Sequence, residues 1–203
     1  MKNSKTKKLA TIGVLTAIST LLFFIKIPLA FIAPPFYELD LSNVVSLIGA
    51  FALGPIAGVI IELLKNLINL VIDGSITGGI GELSNFLTAC AFVIPASLIY
   101  KHHKNKTSAI IGLLAGVLVM TIFGYFSNLY IMIPAYSTAL HLPVDDIVKM
   151  GTAIHSSIDS VADLVFLCVV PFNLIKGVII SLVTFLLYKR ISKAIKWLIF
   201  SYN

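Results

Sequence analysis

Charged and amide side chains collect at three places inside otherwise apolar stretches of the 203-residue chain, and each place implies its own chemistry. The first is the run IELLKNLIN, which carries Glu62, Lys65, Asn66 and Asn69. Glu62 and Lys65 are three apart and Lys65 and Asn69 four apart, so a helix places them on one face. A charge in hydrocarbon is costly unless it meets a partner or a wet cavity. The group therefore reads either as an internal ion pair holding helices together or as a relay for protons. The second is Asn128 in YFSNLYIMIPAY. Its amide offers donors and an acceptor suited to the carbonyl and ring-nitrogen edge of a heterocycle, or to a clamp between two helices. The third is PFNLIKG, where Asn173 and Lys176 stand one helical turn apart between Pro171 and Gly177. They read as a pocket wall, with Lys176 alternatively reaching for the membrane surface.

Two segments could flank such a pocket. Pro34-Pro35-Phe36-Tyr37-Glu38-Leu39-Asp40 is rigid and aromatic, and Gly74-Ser75-Ile76-Thr77-Gly78-Gly79-Ile80-Gly81 is glycine-rich, so the pair is expected to act as a platform and a mobile gate. The glycine run has neither the preceding strand nor the Lys-Ser/Thr ending of a phosphate-binding loop. The chain has no Ser-His-Asp order or metal-type histidine spacing. His102, His103, His141 and His155 are expected in solvated loops. Cys90 and Cys168, each alone in an apolar segment, behave as small buried hydrophobes. The expectation is a protein that is not an enzyme and carries no cofactor.

The elements that position these residues are membrane helices. Hydrophobic residues make up 58% of the chain and charged residues 12%, against roughly 25% charged in a soluble domain, and the mean hydropathy is +1.01. Turn residues and charges punctuate six apolar segments, approximately 9–27, 44–53, 56–72, 83–100, 109–136 and 163–188. The fold class expected is an all-α integral membrane protein, one domain over residues 1–203. The first segment lacks a small-x-small cleavage site and reads as a retained helix. The second is shorter than the ~20 residues of a full crossing and is expected to be tilted, kinked or partly re-entrant.

Lysines and arginine cluster before the first segment, after the fourth and after the sixth, whereas Glu38, Asp40, Asp73, Glu82 and the acids between Asp145 and Asp163 fall in the opposite loops. The positive-inside rule then gives six crossings with the N- and C-termini cytoplasmic. The formal charge of +6 is a topology signal and not a nucleic-acid footprint. No internal repeat of the secondary-transporter kind is evident.

In order along the chain, FYELDLSN, GPIAG with ELLKN, the glycine-rich loop leading to SNF, SNLYIMIPAY and PFNLIKG resemble the riboflavin-binding S components of energy-coupling factor (ECF) transporters. The resemblance extends from Lys8 to Lys193. It implies the six-helix S-component bundle in the bacterial cell membrane, with a vitamin pocket near the outer face. It places Asn128, Asn173 and Lys176 against the isoalloxazine ring, Glu38 and Leu39 in the pocket-lining first loop, and Asn85 as a further contact. It also implies three partner subunits, a transmembrane coupling subunit and two ABC ATPases. Gly13 and Ala17 fit the small-residue face by which the first helix docks on that coupling subunit. Two features depart from the riboflavin pattern: Glu38 stands where a neutral residue is expected, and the loop from Ser137 to Val161 is long. Folate or pantothenate therefore stay open as ligands beside riboflavin, FMN and related flavins, as does a stand-alone carrier using Glu62 and Lys65.

Overall fold

The computed structural model describes residues 2–75 and 77–200. It is a helical bundle whose order is α1 (Lys2–Phe23), a hairpin of β1 (Ile27–Pro28) and β2 (Glu38–Leu39), α2 (Ser42–Leu53), α3 (Pro55–Ile72), α4 (Ile80–His103), α5 (Lys106–Ser127), α6 (Ile133–Leu140), α7 (Val144–Thr152), α8 (Val161–Leu164) and α9 (Val170–Phe200). Two π-helical turns, Asn128–Met132 and Val165–Val169, join α5 to α6 and α8 to α9. Five stretches are long and apolar enough to cross a membrane, and α2 is a shorter apolar helix.

The breaks between elements follow local chemistry. The first helix stops at Phe23 and not at Ile27 as the hydropathy suggests. Pro28 pushes the residue before it out of the helical region, and Ile27 pairs antiparallel with Leu39 instead. Between α2 and α3, Gly54 takes φ +104° and Pro55 opens α3, a first-turn position where a missing N–H costs nothing. The turn from α4 to α5 uses Lys104 in the left-handed region, followed by Asn105, whose side chain accepts from the Ser108 N–H at 2.7 Å.

The 12-residue α2 spans only about 18 Å at the α-helical rise. It tolerates this because it is internal: every residue from Ser42 to Phe51 is buried, and it packs against α1, α3, α4 and α9. Around it lies an apolar core whose far end is closed by the rings of Phe51, Tyr100 and Tyr188. A second apolar cluster, including Ile133, Ile147, Ile158, Leu164, Val165 and Phe172, closes the end carrying the hairpin. The segment 137–161 is no bare loop. Helix α6 runs on to Leu140, and α7 presses Ile147, Val148 and Gly151 inward, Gly151 so closely that a Cβ would meet Leu164 and Ile158. On the outer surface, Leu114, Leu118, Leu182 and Leu186 are exposed, the apolar coat that lipid requires.

Helices α4 and α5 approach through glycines, the small-residue contact that serves membrane helices in place of a hydrophobic drive. A Cβ on Gly112 would stand 2.5 Å from the Ala96 carbonyl oxygen, and one on Gly116 2.6 Å from the Phe92 ring. Backbone cannot yield as a side chain does. Gly112→Val is therefore expected to cost about 1–3 kcal/mol by overpacking, read as a lower thermal unfolding midpoint in detergent. Gly13→Ala, with nothing within 4 Å of its Cβ, is expected not to lower that midpoint.

Candidate functional site

At the hairpin end, side chains from elements all along the chain converge on a cleft of about 200 Å³. The α1–α2 connection supplies Phe36, Tyr37, Glu38 and Asp40, the last turn of α3 Asn69, the start of α4 Glu82, Ser84 and Asn85, and α9 Phe172, Asn173 and Lys176. Asn128 enters from the first π turn. Both π turns end two residues before a proline, Pro134 and Pro171. A proline ring clashes with the carbonyl four residues back, here Tyr130 and Leu167, both inside the π turns. Widening each turn removes the clash and re-aims the residues beside it. Asn128 opens one such turn, and Phe172 and Asn173 follow the other.

The wall is aromatic on one side. Phe36 lies 4.7 Å from Tyr37 and 5.9 Å from Tyr136 between ring centroids, and Tyr37 lies 5.6 Å from Phe172. Tyr37 donates to Asn128 Oδ1 at 2.7 Å. Burial raises the Tyr37 phenol well above its ordinary range, so it stays a donor. Asn128 Nδ2 donates to the Gly124 carbonyl at 2.8 Å. The Asn128 amide is thus held by its own helix and by the platform. Asn173 is its counterpart with no such tether: among the described residues its amide has no hydrogen-bond partner, and it borders the cleft. Asn85 donates to Asn66 Oδ1 at 3.1 Å and also lines the cleft. Leu39, in β2 of the hairpin, is buried.

The floor is ionic. Lys176 Nζ donates to Asp40 Oδ2 at 2.8 Å and lies 3.4 Å from the Glu38 carbonyl oxygen. Asp40 Oδ1 accepts from the Ser42 N–H at 2.9 Å and from the Ser42 hydroxyl. Ser42 Oγ in turn accepts from Lys65 Nζ at 2.9 Å. Lys65 sits 2.6 Å from Glu62 Oε2 with both side chains fully buried, and Asn43 donates to Glu62 Oε1 at 3.1 Å. Two ammonium groups and two carboxylates thus form one chain of alternating charge. The Glu62–Lys65 group is an internal ion pair, the first of the two roles its spacing allows. Lys176 does not reach for the membrane surface, because Asp40 holds it inside. The structure also explains how a charge is tolerated at Glu38: Lys26 lies 3.8 Å from its carboxylate and 3.2 Å from that of Asp73.

The glycine-rich segment is ordered by its own hydroxyls. Ser75 Oγ accepts from the Gly79 N–H and donates to Glu82 Oε2, both at 2.8 Å, and Thr77 Oγ1 accepts from the Gly81 N–H at 2.9 Å. Gly74, Gly78 and Gly79 have positive φ, the region that glycine enters without a Cβ penalty. Gly13 and Ala17 lie elsewhere, exposed on the outer face of α1. Tyr37 and Asp40 fall in the segment expected as a platform, but the sequence gives neither them nor Glu82, which also lines the cleft, a role of its own. The nearest signal is the acid-x-serine spacing of Asp40 and Ser42 at a helix start.

Burial by itself would raise the Asp40 carboxyl, but the Lys176 and Lys65 charges and hydrogen bonds from Lys176 and Ser42 outweigh it and hold it at about 2, below its ordinary 3.8. Its stabilising contribution is complete above 3.8 and is lost as pH falls toward 2. Asp40→Asn is expected to flatten the acid-unfolding curve in that window. Lys176→Met, which strands a buried carboxylate, should cost about 3–5 kcal/mol. The double variant should lose less than the two singles combined, as read by unfolding in detergent.

Comparison with known proteins agrees with this architecture. Residues 7–188 match the family model described as the ECF transporter, substrate-specific component. The riboflavin transporter RibU of Staphylococcus aureus is 36% identical over 190 residues, covering 94% of this chain and 93% of that protein. The riboflavin transporter FmnP of Bacillus subtilis is 29% identical over 188 residues, 92% and 93% of the two chains. A solved S component of a bacterial ECF transporter superposes with a TM-score of 0.73 at 36% identity, over 95% of this chain and 99% of its own. With its apolar helices, this multi-pass bacterial membrane protein is a transport component and not an enzyme, and it belongs to the substrate-specific S components of ECF transporters.

Proposed function

We propose that this chain is the riboflavin-binding subunit of an ECF-type importer, capturing the vitamin from outside the cell in the cleft walled by Asn128, Asn173 and Lys176. The observation that carries the proposal is the untethered Asn173 amide beside the aromatic wall of Tyr37 and Phe172. A flat heterocycle can stack on such rings while its polar edge takes amide hydrogen bonds. The names of the relatives, riboflavin transporters RibU and FmnP, point to the same ligand, which is cargo and not a cofactor. Glu38, Leu39 and Asn85 border or support the cleft and take part in enclosing it.

The proposal includes a single domain over residues 1–203 with six crossings, counting α2 as one. The support is directional. Asp40 before α2 meets Lys176 at the cleft, whereas Gly54 after α2 borders Lys101 and Lys104 at the opposite end. An even number of crossings leaves both lysine-rich termini cytoplasmic and the cleft outside. The chain carries no phosphate-binding loop, so work must come from a transmembrane coupling subunit and two ABC ATPases, with the exposed Gly13 and Ala17 as the docking face on α1.

Purified in detergent from cells supplied with riboflavin, the protein is expected to be yellow and to quench flavin fluorescence on titration. Asn173→Ala is expected to weaken binding at least about tenfold, the scale of one or two lost hydrogen bonds left unmade in a buried site. Asn128→Ala should weaken it too, since it also frees Tyr37. A colourless protein that ignores riboflavin in titration would sink the assignment. Affinity in the two variants equal to that of the unaltered protein would remove those residues from the pocket.

A further inference from the structure

We infer that the end of the bundle opposite the cleft holds a second binding site, a basic pocket between α2 and α4 that takes the phosphate of an anionic phospholipid. The inference depends neither on the identity of the vitamin nor on the coupling subunits. A cavity of about 160 Å³ lies where the last turns of the two helices meet, bordered by Phe51 and Gly54 from α2 and its C-cap and by Ser97, Tyr100, Lys101 and Lys104 from α4 and its C-cap. Phe51 and Tyr100, whose rings stack at 4.3 Å between centroids, also belong to the apolar core, so the cavity backs onto close packing. Both lysines are exposed, and neither has a carboxylate within ion-pair distance among the described residues. Residues 41–61 and 83–144, which include the α2–α3 and α4–α5 turns at this end, contain no acidic residue.

The carbonyl ends of α2 and α4 offset part of this charge, by about half a unit each, against two whole ammonium groups, and the pocket stays cationic. Lysines at this end also set topology, but topology does not require one at position 104. Lys104 closes α4 at φ +45°, a position that glycine fills without a Cβ penalty. A lysine there carries a conformational cost and adds an ammonium group to the rim of the cavity. What adjoins the pocket favours a lipid over a soluble phosphate. Ile94 and Leu98 are exposed and stand seven and three positions before Lys101, on one face of α4. An acyl chain lying along that stripe brings its headgroup to the lysines, the arrangement by which basic pockets between membrane helices take anionic headgroups. Phosphate oxygens accept charge-assisted hydrogen bonds from ammonium groups. The quaternary amine of a zwitterionic lipid would bring a further positive charge to two already present.

The full chain is purified in a neutral detergent, and its thermal unfolding midpoint is followed as phosphatidylglycerol, phosphatidylcholine or glycerol 3-phosphate is added, with native mass spectrometry counting bound lipid. Phosphatidylglycerol is expected to raise the midpoint saturably and to stay bound as a single molecule, the other two compounds having much less effect. Lys101→Gln combined with Lys104→Gln should weaken phosphatidylglycerol binding about tenfold or more. Lys104→Gly alone should weaken it too without lowering the lipid-free midpoint, because glycine relieves the positive φ, so the site is tested in a variant that folds. Lys189→Gln combined with Lys193→Gln, at exposed lysines that do not border the cavity, should leave the affinity unchanged. Equal effects of the two lipids, or an equal loss in both lysine pairs, would overturn the inference by revealing a general surface attraction. Stabilisation by glycerol 3-phosphate that matches phosphatidylglycerol would overturn the lipid assignment in favour of a soluble phosphate.

Discussion

The alternating run of charge from Lys176 through Asp40, Ser42 and Lys65 to Glu62 is the constraint on which the rest of the molecule turns. Isolated, any of these four ions would be expelled from the interior of a membrane protein. Joined, they neutralise one another and must stay at hydrogen-bonding distance. That requirement ties α9 to the start of α2, and α2 to the middle of α3. The loop holding Asp40 cannot drift from the bundle, so the hairpin and its aromatic residues stay over the cleft. Such a network adds little net stability compared with well-packed apolar residues. What it gives is a fixed register between three helices in a medium where apolar side chains have no preference for one another over lipid.

The same network separates the polar residues into two kinds. Glu62 and Lys65 are used up inside the scaffold. Asn173 retains unspent hydrogen-bonding capacity and borders the cleft. Asn43 and Asn69 join Asn173 in the cleft lining, each with a side-chain oxygen that has no hydrogen-bond partner among the described residues.

Much of this could be seen in the amino-acid sequence, and the parts that could not share a cause. Residues three or four apart on one helix, such as Glu62 with Lys65 or Asn173 with Lys176, are legible because helical geometry fixes their relation. Asp40 with Lys176 is 136 positions apart, and no local rule connects them. This is why Lys176 could be read as reaching for the membrane surface. Helix ends set by hydropathy alone erred where backbone chemistry ruled, as at Phe23, where Pro28 ends the helix while the apolar run continues. The glycine-rich segment is legible only as permissive backbone. Its serine and threonine hydroxyls, which close the turn on themselves, carry no periodic signal. The ordered set of motifs identified the family correctly because it sampled several helices together.

The paired π turns also bear on kinship. Each is in effect one extra residue lodged in a helix, and an extra residue turns everything beyond it by about 100° about the helix axis. A helical wheel drawn straight through 161–188 would therefore put Asn173 and Lys176 on the wrong side. A relative without the insertion could keep the same letters near Pro171 and present a different face. Percentage identity does not register such a turn, although one residue of it sets the face on which Asn173 and Lys176 stand.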